Sequence, residues 1–341
     1  MTESVVRVPQ IPVHSTKKPL QGLLPWIQVT LCIGLSFWVS QRLRKRSPYP
    51  KGTKRQRAIK PKYMSKLADL NRHPRDERIQ FEANGHIYTI DGEKGKFTSV
   101  TTWGGSHFPK FNPDETIKGM MASPKWTQSK YYGMTPEAIK RQWNTSGIVA
   151  STLGTKLHED IEITLDGQEL NNTNIEYGHF LKFRKERLNG TNEPYRTEWT
   201  IFDEEHKLAG SIDYAAMRPD GSIDLYDWKR TKEIKMSGFG RTAVSPFLSH
   251  IPDANFWKYS IQLNIYRSIL ERCYGVRVNS MTIVCLYPDN PSYECYDVPR
   301  LENELGLMLG ERKRRLEYAA KAKAEKEARA QARRAAAAQK T

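Results

Sequence analysis

The stretch GSIDYAAMRPDGSIDLYDWKR, residues 210–230, has the pattern of two β-strands joined by a turn at Asp220-Gly221. Each strand carries one carboxylate that a hydrophobic core cannot easily accommodate, Asp213 in the first and Asp227 in the second. The two acids lie almost equally far from the turn, so a short hairpin places them opposite each other. Opposed side chains have Cβ atoms about 5 Å apart, and like charges at that distance destabilise a sheet. A cation bound between them would reverse this repulsion.

Alternation along the second strand decides which charged side chains share a face. Lys229 lies two residues after Asp227 and therefore points to the same side. Asp224 lies three residues before Asp227 and points to the opposite side, so we exclude it from the predicted site.

A third acid is predicted to join this face from the preceding strand, 195–202. The loop 203–207 connects that strand to the strand of Asp213, and the spacing around the loop places Glu198 roughly opposite Asp213. Apolar residues continue the same face, so the charged cluster is predicted to border a buried region; they are Ala215, Met217, Ile223 and Leu225.

Two predicted helices can bring further polar groups to the sheet. The first runs through residues 150–162, with His158 and Glu162 one turn apart on one face. Gly154, one turn before His158, removes a side chain where another molecule could approach. Gly154 and Glu162 are predicted to support the site or to contact DNA. A single helical histidine can be structural or functional, and the sequence leaves both interpretations open.

The second helix, 254–274, places Gln262 and Tyr266 one turn apart. Elsewhere the pattern predicts a helix starting at Thr135-Pro136 and another over 176–188. Further strands are predicted over 79–83, 86–90, 97–101, 280–287 and 293–298. We expect an α/β fold in which helices flank a mixed sheet.

Aromatic and basic residues alternate between positions 103 and 143. Such rings can stack on bases while the cations follow phosphates, but we expect most of these rings to belong to the core. The rings are Trp103, Phe108, Phe111, Trp126, Tyr131, Tyr132 and Trp143.

The net charge of +16 is concentrated at the two ends of the 341-residue chain. Residues 1–63 contain 13 basic and one acidic residue, residues 311–341 contain 11 and four, and residues 64–310 contain 30 and 33. Basic ends of this kind favour contact with a polyanion such as nucleic acid or a lipid surface, or serve only to keep the protein in solution. We predict a hydrophobic segment and basic linker over 1–63, a domain over 64–300, and a basic helical tail over 301–341.

A 17-residue apolar run, residues 23–39, precedes the basic linker. It is barely long enough to span a bilayer, and the basic residues after it would keep the rest of the chain in the cytosol. A mitochondrial leader is an alternative, and so is a translation start at Met64, which would yield a soluble protein.

The four cysteines, Cys32, Cys273, Cys285 and Cys295, contain no C-x-x-C pair. A zinc site or a disulfide framework is therefore not expected, and a reducing compartment is the default.

Opposed carboxylates bind hard divalent cations such as Mg²⁺ or Mn²⁺ through oxygen. A metal placed there lowers the pKa of a bound water and orients the water for in-line attack on phosphorus. Lys229 would then stabilise the negative charge of the transition state, and a neutral His158 could be a further ligand. This combination favours hydrolysis of a phosphodiester.

Four motifs in order resemble those of the PD-(D/E)XK nuclease superfamily, specifically its RecB-type exonuclease branch. They are GTKLHEDIE (154–162), GSIDY (210–214), DWK (227–229) and QLNIY (262–266), matching G-x-x-x-H, G-x-x-D, (D/E)-x-K and Q-x-x-x-Y. The segments SVTTWGGSHFPKF and KYYGMTPEAI are also similar to relatives in large DNA viruses and to mitochondrial genome-maintenance exonucleases. The resemblance covers about residues 79–298.

This resemblance implies a restriction-endonuclease-like core and a role for each matched residue. His158, Asp213 and Asp227 would be metal ligands, Lys229 the catalytic lysine, and Gln262 and Tyr266 residues that support the site and contact nucleic acid. Glu198 resembles an acidic position found before the G-x-x-D strand. Some RecB-type nucleases hold an iron–sulfur cluster with one early and three late cysteines, but the spacing of the late cysteines here differs, and we expect no cluster.

The expected function is metal-dependent hydrolysis of DNA, single-stranded or with free ends, by an exonuclease rather than an endonuclease. Two alternatives remain open at this stage. One is a non-catalytic nucleic-acid-binding or membrane-tethered protein on a nuclease fold; the other is a nuclease that acts on RNA.

Overall fold

The computed structural model describes residues 66–188, 190 and 192–338. The apolar run 23–39 and Met64 lie outside these ranges. Among the helices within them, none is both long enough and apolar enough to cross a bilayer.

Nine strands and seven α-helices make up the described part of the chain. The strands are β1 (Ile79–Glu82), β2 (Ile87–Ile90), β3 (Glu93–Lys94), β4 (Thr98–Ser99), β5 (Glu193–Asp203), β6 (Leu208–Met217), β7 (Ile223–Lys229), β8 (Val278–Cys285) and β9 (Glu294–Asp297). The helices are α1 (Lys66–Leu70), α2 (Val100–Gly105), α3 (Pro113–Met121), α4 (Pro136–Leu165), α5 (Ile175–Arg187), α6 (Asn255–Ile269) and α7 (Glu302–Ala338). Short 3₁₀ turns occur at Pro74–Arg78, Trp126–Gln128 and Pro246–Leu248, and a π-turn at Leu270–Tyr274 extends α6.

The central sheet is mixed, as predicted. Its main path runs β4-β6-β7-β8-β9, and β5 also pairs with β6. The pairs β4/β6 and β7/β8 are parallel, whereas β5/β6, β6/β7 and β8/β9 are antiparallel. A separate antiparallel sheet contains β1, β2 and β3. The α/β architecture with helices on the sheet is confirmed, and it is consistent with a restriction-endonuclease-like core.

Two hydrophobic clusters cover the central sheet. The larger one includes residues of α6 such as Ile261 and Ile265, which pack with Ala215 and Leu225 of the strands. The second cluster contains apolar residues of α4 and α5 packed on the sheet residues Tyr214, Ala216 and Trp228. Because α6 and the α4–α5 pair contact alternate residues of the same strands, they cover opposite faces.

Two of the predicted element boundaries are wrong. Pro136–Leu165 form one continuous helix, α4, instead of two separate helical segments. Thr135 caps it, and the Thr135 hydroxyl accepts from the Ala138 N–H at 3.2 Å. The predicted strand 97–101 is limited to β4, because the Ser99 hydroxyl accepts from the Thr102 N–H at 3.1 Å and starts α2. The N-cap hydrogen bond of Ser99 thus ends the strand and decides where α2 begins.

Most of the aromatic residues between 103 and 143 belong to hydrophobic cores, as expected. Trp103 and Phe108 lie in the larger cluster, and Tyr131 and Trp143 form a third cluster with α3. Tyr132 is the exception, since 58% of its surface is exposed.

The predicted basic tail begins inside the fold. Leu301, Leu305 and Met308 are buried in the larger cluster. One turn later the Arg312 guanidinium donates to the backbone oxygens of His206 and Lys207. The first three turns of α7 therefore pack on the domain, and the exposed basic part of the helix follows them.

Candidate active site

The hairpin of β6 and β7 aligns Asp213 with Asp227, as predicted. The strands pair Tyr214 with Tyr226, and the same register continued by one residue brings the two acids opposite each other. At this point the Trp228 N–H donates to Asp213 Oδ2 at 2.9 Å, so that β7 holds the Asp213 carboxylate directly.

The predicted position of Glu198 is also confirmed, but its backbone conformation is unexpected. Strand β5 pairs Thr197 with Tyr214 and Trp199 with Ile212, which places Glu198 opposite Asp213. Glu198 itself has φ +41°, in the left-handed region. Such a conformation costs a non-glycine residue about 1–3 kcal/mol and is concentrated at functional sites.

Three potential metal ligands converge at this place. Ligand atoms of His158, Glu198 and Asp213 all lie within 4.8 Å of one another. His158 Nδ1 is 3.5 Å from Glu198 Oε1 and 3.7 Å from Asp213 Oδ2. Helix α4 thus brings to the sheet a histidine that lies 40 residues before Glu198 in the chain.

A second hydrogen bond of His158 orients its ring. His158 Nε2 lies 3.0 Å from the Trp228 backbone oxygen, which can only accept, so Nε2 carries the proton. In the neutral ring the lone pair is then on Nδ1, facing the two carboxylates. Metal-binding histidines commonly donate their other N–H to a backbone carbonyl in this way.

Asp227 occupies a different arrangement next to these three groups. Lys229 Nζ is 2.6 Å from Asp227 Oδ2, and Gln262 Nε2 donates to Asp227 Oδ1 at 3.1 Å. Asp227 is not one of the three groups whose ligand atoms converge.

Lys229 Nζ also lies 4.7 Å from the centre of the Tyr259 ring, a contact that was not predicted from the sequence. The spacing Tyr259–Gln262–Tyr266, one residue per turn of α6, could have indicated it.

Tyr266 packs against the strand that carries Asp213. Its ring is 97% buried, and its hydroxyl lies 3.5 Å from Gln262 Nε2. A Cβ atom added to Gly210 would lie only 2.5 Å from Tyr266 Cε1. Gly210, the first residue of the G-x-x-D motif, is therefore required because a ring occupies the place of a side chain.

We expect Gly210→Ala to destabilise the protein by about 1–3 kcal/mol, because the buried ring must move. The matched control is Gly306→Ala in α7, where an added Cβ meets no atom within 4 Å. That change is expected to raise stability by up to about 1 kcal/mol, since alanine favours a helix. Urea unfolding of both variants measures the difference, and equal stabilities would contradict the steric role of Tyr266.

The two remaining helix residues named in the prediction do not join the cluster. Glu162 lies one turn after His158, half-buried, outside the three converging groups. An added Cβ at Gly154 would meet no atom within 4 Å, so no packing inside the protein requires glycine there. The roles suggested for both residues stay predictions.

Asp224 lies away from the site, in agreement with its exclusion. Its buried carboxylate accepts four hydrogen bonds, from Asn192, Arg218, Asn279 and Ser280. A carboxylate satisfied by four donors holds the loops together at the other end of β7.

Burial and mutual charge shift the pKa values of the cluster. Burial raises the pKa of Asp213, and the negative charges of Asp227 and Glu198 add to this effect, giving a value of about 7 despite the nearby cations. Burial lowers the pKa of His158, but the Asp213 and Glu198 carboxylates outweigh it and raise the value to about 9. Burial likewise opposes the charge of Lys229, whereas Asp227 and Asp213 raise its pKa above the usual value.

Comparisons with known proteins give little support beyond the geometry. No protein-family model matches the chain. No curated protein matches it either. Among solved structures, a candidate exonuclease from Eubacterium rectale is similar at 13% identity over 65% of this chain and 79% of that chain, with a TM-score of 0.29. SSO0001 is similar at 14% identity over 65% of this chain and 76% of that chain, with a TM-score of 0.24.

Proposed function

We propose that this protein is a metal-dependent nuclease that hydrolyses phosphodiester bonds of DNA. The observation that carries the proposal is the convergence of His158, Glu198 and Asp213 within 4.8 Å, beside the buried Asp227–Lys229 pair. Charged groups withdrawn from water are expensive unless paired or bound to metal. A fold that gathers five ionisable groups, from the buried Asp227 to the partly exposed His158 and Glu198, therefore has a function for them.

The donor set fits a divalent cation. Asp213 and Glu198 offer carboxylate oxygens, the ligands that Mg²⁺ and Mn²⁺ prefer, and His158 offers an imidazole nitrogen. Asp227 is buried and the Asp213 side chain is only 10% exposed, and the negative charge of Asp227 adds to burial in raising the pKa of Asp213. These residues would hold the cation, with Asp227 next to the three converging groups. A bound cation would activate water for attack on phosphorus and offset the charge of the leaving oxygen.

Three further residues would stabilise the transition state or orient the groups that hold the cation. Lys229 remains protonated beside Asp227 and would donate to the scissile phosphate, stabilising the charge that develops on its oxygens. Gln262 Nε2 donates to Asp227 Oδ1 and so holds the Asp227 carboxylate in place. The Trp228 backbone orients two groups at once, Asp213 through its N–H and His158 through its carbonyl.

DNA as the substrate and the exonuclease activity rest on the motif resemblance. The experiment digests 5′- and 3′-labelled linear and circular DNA, with matched RNA, in Mg²⁺, in Mn²⁺ and in chelator. We expect degradation of linear single-stranded or end-containing DNA only with a metal. Cleavage of circles would indicate an endonuclease, preferential cleavage of RNA would indicate the alternative substrate, and intact DNA in every buffer would refute the nuclease.

Metal affinity is expected to rise with pH. A metal ligand must be the neutral imidazole, and the metal-free His158 has a pKa of about 9, so binding displaces a proton at lower pH. The affinity should increase by about tenfold for each pH unit from neutral pH and level off near that pKa. Calorimetry with Mn²⁺ in two buffers of different ionisation enthalpy counts the released proton. His158→Gln is the control: it keeps the proton of Asp213 and loses that of His158, so its dependence should be less steep. An affinity independent of pH in the unmodified protein would contradict His158 as a ligand.

A further inference from the structure

A short turn after β7, residues 237–241, presents an aromatic ring to solvent. The sequence there is Ser-Gly-Phe-Gly-Arg, and Phe239 is 64% exposed. Phe239 has φ +51°, a conformation that bulky residues rarely adopt. Phe239 therefore combines a strained backbone with an apolar ring that is exposed to solvent and not buried in the core.

The flanking glycines make this turn possible. A Cβ at Gly238 would lie 2.1 Å from the Arg241 backbone oxygen, and Gly240 has φ +84°. The base of the turn is closed by hydrogen bonds, from the Arg241 N–H to the Gly238 oxygen at 3.0 Å and from the Asp253 N–H to the Arg241 oxygen at 2.9 Å. A defined framework thus holds Phe239 at the tip.

The turn and the candidate active site share a support. The segment that leads to the turn follows Lys229 directly and is fixed to the first turn of α6. The Lys235 N–H donates to Asn255 Oδ1 at 2.6 Å, and Trp257 Nε1 donates to the Met236 oxygen at 2.9 Å. The next turn of α6 supplies Tyr259, in contact with Lys229. The exposed ring is consequently anchored to the same helix end as the catalytic lysine.

The segment around the ring carries a positive balance. Between positions 230 and 258 it contains Arg230, Lys232, Lys235, Arg241 and Lys258, against Glu233 and Asp253. Arg230 pairs with Glu176 and Lys235 with Glu233, but Arg241 and Lys258 share Asp253, so the segment and its partners keep a net positive charge. Exposed rings among cations are what single-stranded nucleic acid binds, because bases stack on the ring while phosphates follow the charges.

We propose that Phe239 stacks on a nucleobase of the DNA strand bound at the candidate active site and thereby positions that strand. The inference rests on the proposed function, since it takes DNA as the ligand. It adds a contact that none of the four motifs includes.

The test compares Phe239→Asn and Phe239→Trp in a Lys229→Ala background, so that bound DNA is not degraded. The probe is a single-stranded oligonucleotide with 2-aminopurine at successive positions, whose fluorescence falls when the base stacks. Base stacking is worth about 1–3 kcal/mol, so Phe239→Asn should weaken binding between about 5-fold and 150-fold. Phe239→Trp should retain binding. At one position of the probe, the 2-aminopurine fluorescence should be quenched by the parent and by Phe239→Trp. Phe239→Asn should not quench it.

Thermal unfolding separates this role from a structural one. Asparagine tolerates positive φ, so Phe239→Asn should be at least as stable as the parent while it binds DNA less well. Equal DNA affinity of the asparagine variant and its parent would overturn the stacking role. So would a weaker affinity accompanied by a matching loss of stability. These measurements need no cleavage, so a chain that binds DNA through Phe239 but never hydrolyses it would refute the nuclease and leave the stacking inference standing.

Discussion

Replacing Lys229 with alanine is expected to lower the rate of DNA hydrolysis by about 100- to 1,000-fold, the usual effect of removing one group that stabilises transition-state charge. Lys229 is the cation nearest Asp227, at 2.6 Å, and its side chain is 17% exposed, enough to reach a bound phosphate. The measurement is single-turnover hydrolysis of end-labelled DNA at saturating Mg²⁺.

The loss of Lys229 also leaves the buried Asp227 without its counter-charge, which by itself costs stability. The double variant Lys229→Ala/Asp227→Asn removes that unpaired charge and should recover thermal stability without recovering activity. The exposed Lys96→Ala is the matched surface control and should behave like the unmodified protein. A Lys229→Ala protein with activity within about tenfold of the parent would exclude the catalytic role, since that loss is well below the usual effect.

Substitutions of Asp213 and of Asp224 by asparagine are expected to give opposite results. Asp213→Asn should abolish metal-dependent hydrolysis, because it removes the charge of one of the three converging groups that would hold the cation. It should not lower stability, because burial and the neighbouring acids already raise the pKa of Asp213 to about 7. At neutral pH, removing this charge relieves repulsion in the metal-free protein.

Asp224→Asn is the matched control, since its side chain is 4% exposed against 10% for Asp213 and it lies only 11 residues away in the chain. Its carboxylate accepts four hydrogen bonds, and an amide cannot accept them all. We expect a loss of about 1–3 kcal/mol in stability with activity retained. Urea unfolding and hydrolysis assays on both variants give the comparison. An inactive Asp224→Asn protein that is still folded would show that the strand register has been assigned to the wrong face.

Much of the sheet part of the site could be predicted because its geometry is local. Asp213 and Asp227 lie on neighbouring strands joined by a loop of five residues, 218–222, with Gly221 at φ +76°. With so short a loop, the register follows from the turn, and the period of two decides which face each side chain occupies. Glu198 follows from the same reasoning applied to the preceding loop.

The positions of the helical residues relative to the sheet could not be predicted in this way. His158 was identified from a motif, but nothing in residues 150–162 indicates that its ring contacts the Trp228 carbonyl 70 residues later. The contact depends on how α4 packs on the sheet through Leu157 and Ile161. The extent of α4 was also missed, because the exposed residues in its middle show no helical periodicity of apolar side chains.

Features that depend on several distant segments were not foreseeable at all. The left-handed backbone of Glu198, the Tyr259 ring beside Lys229 and the packing of α7 each involve contacts between separate elements. The exposed Phe239 belongs to the same group, because a phenylalanine in an apolar stretch is ordinarily expected in a core.

The hairpin 210–230 thus contains in its own spacing the opposition of two acids and the position of a lysine beside them, because strand pairing and alternation act over a few residues. Only the tertiary structure decided that His158 comes together with Glu198 and Asp213, while Asp227 pairs with Lys229 and Gln262. The physical reason is that helix packing, burial and backbone strain are properties of the assembled chain, and no local pattern encodes them.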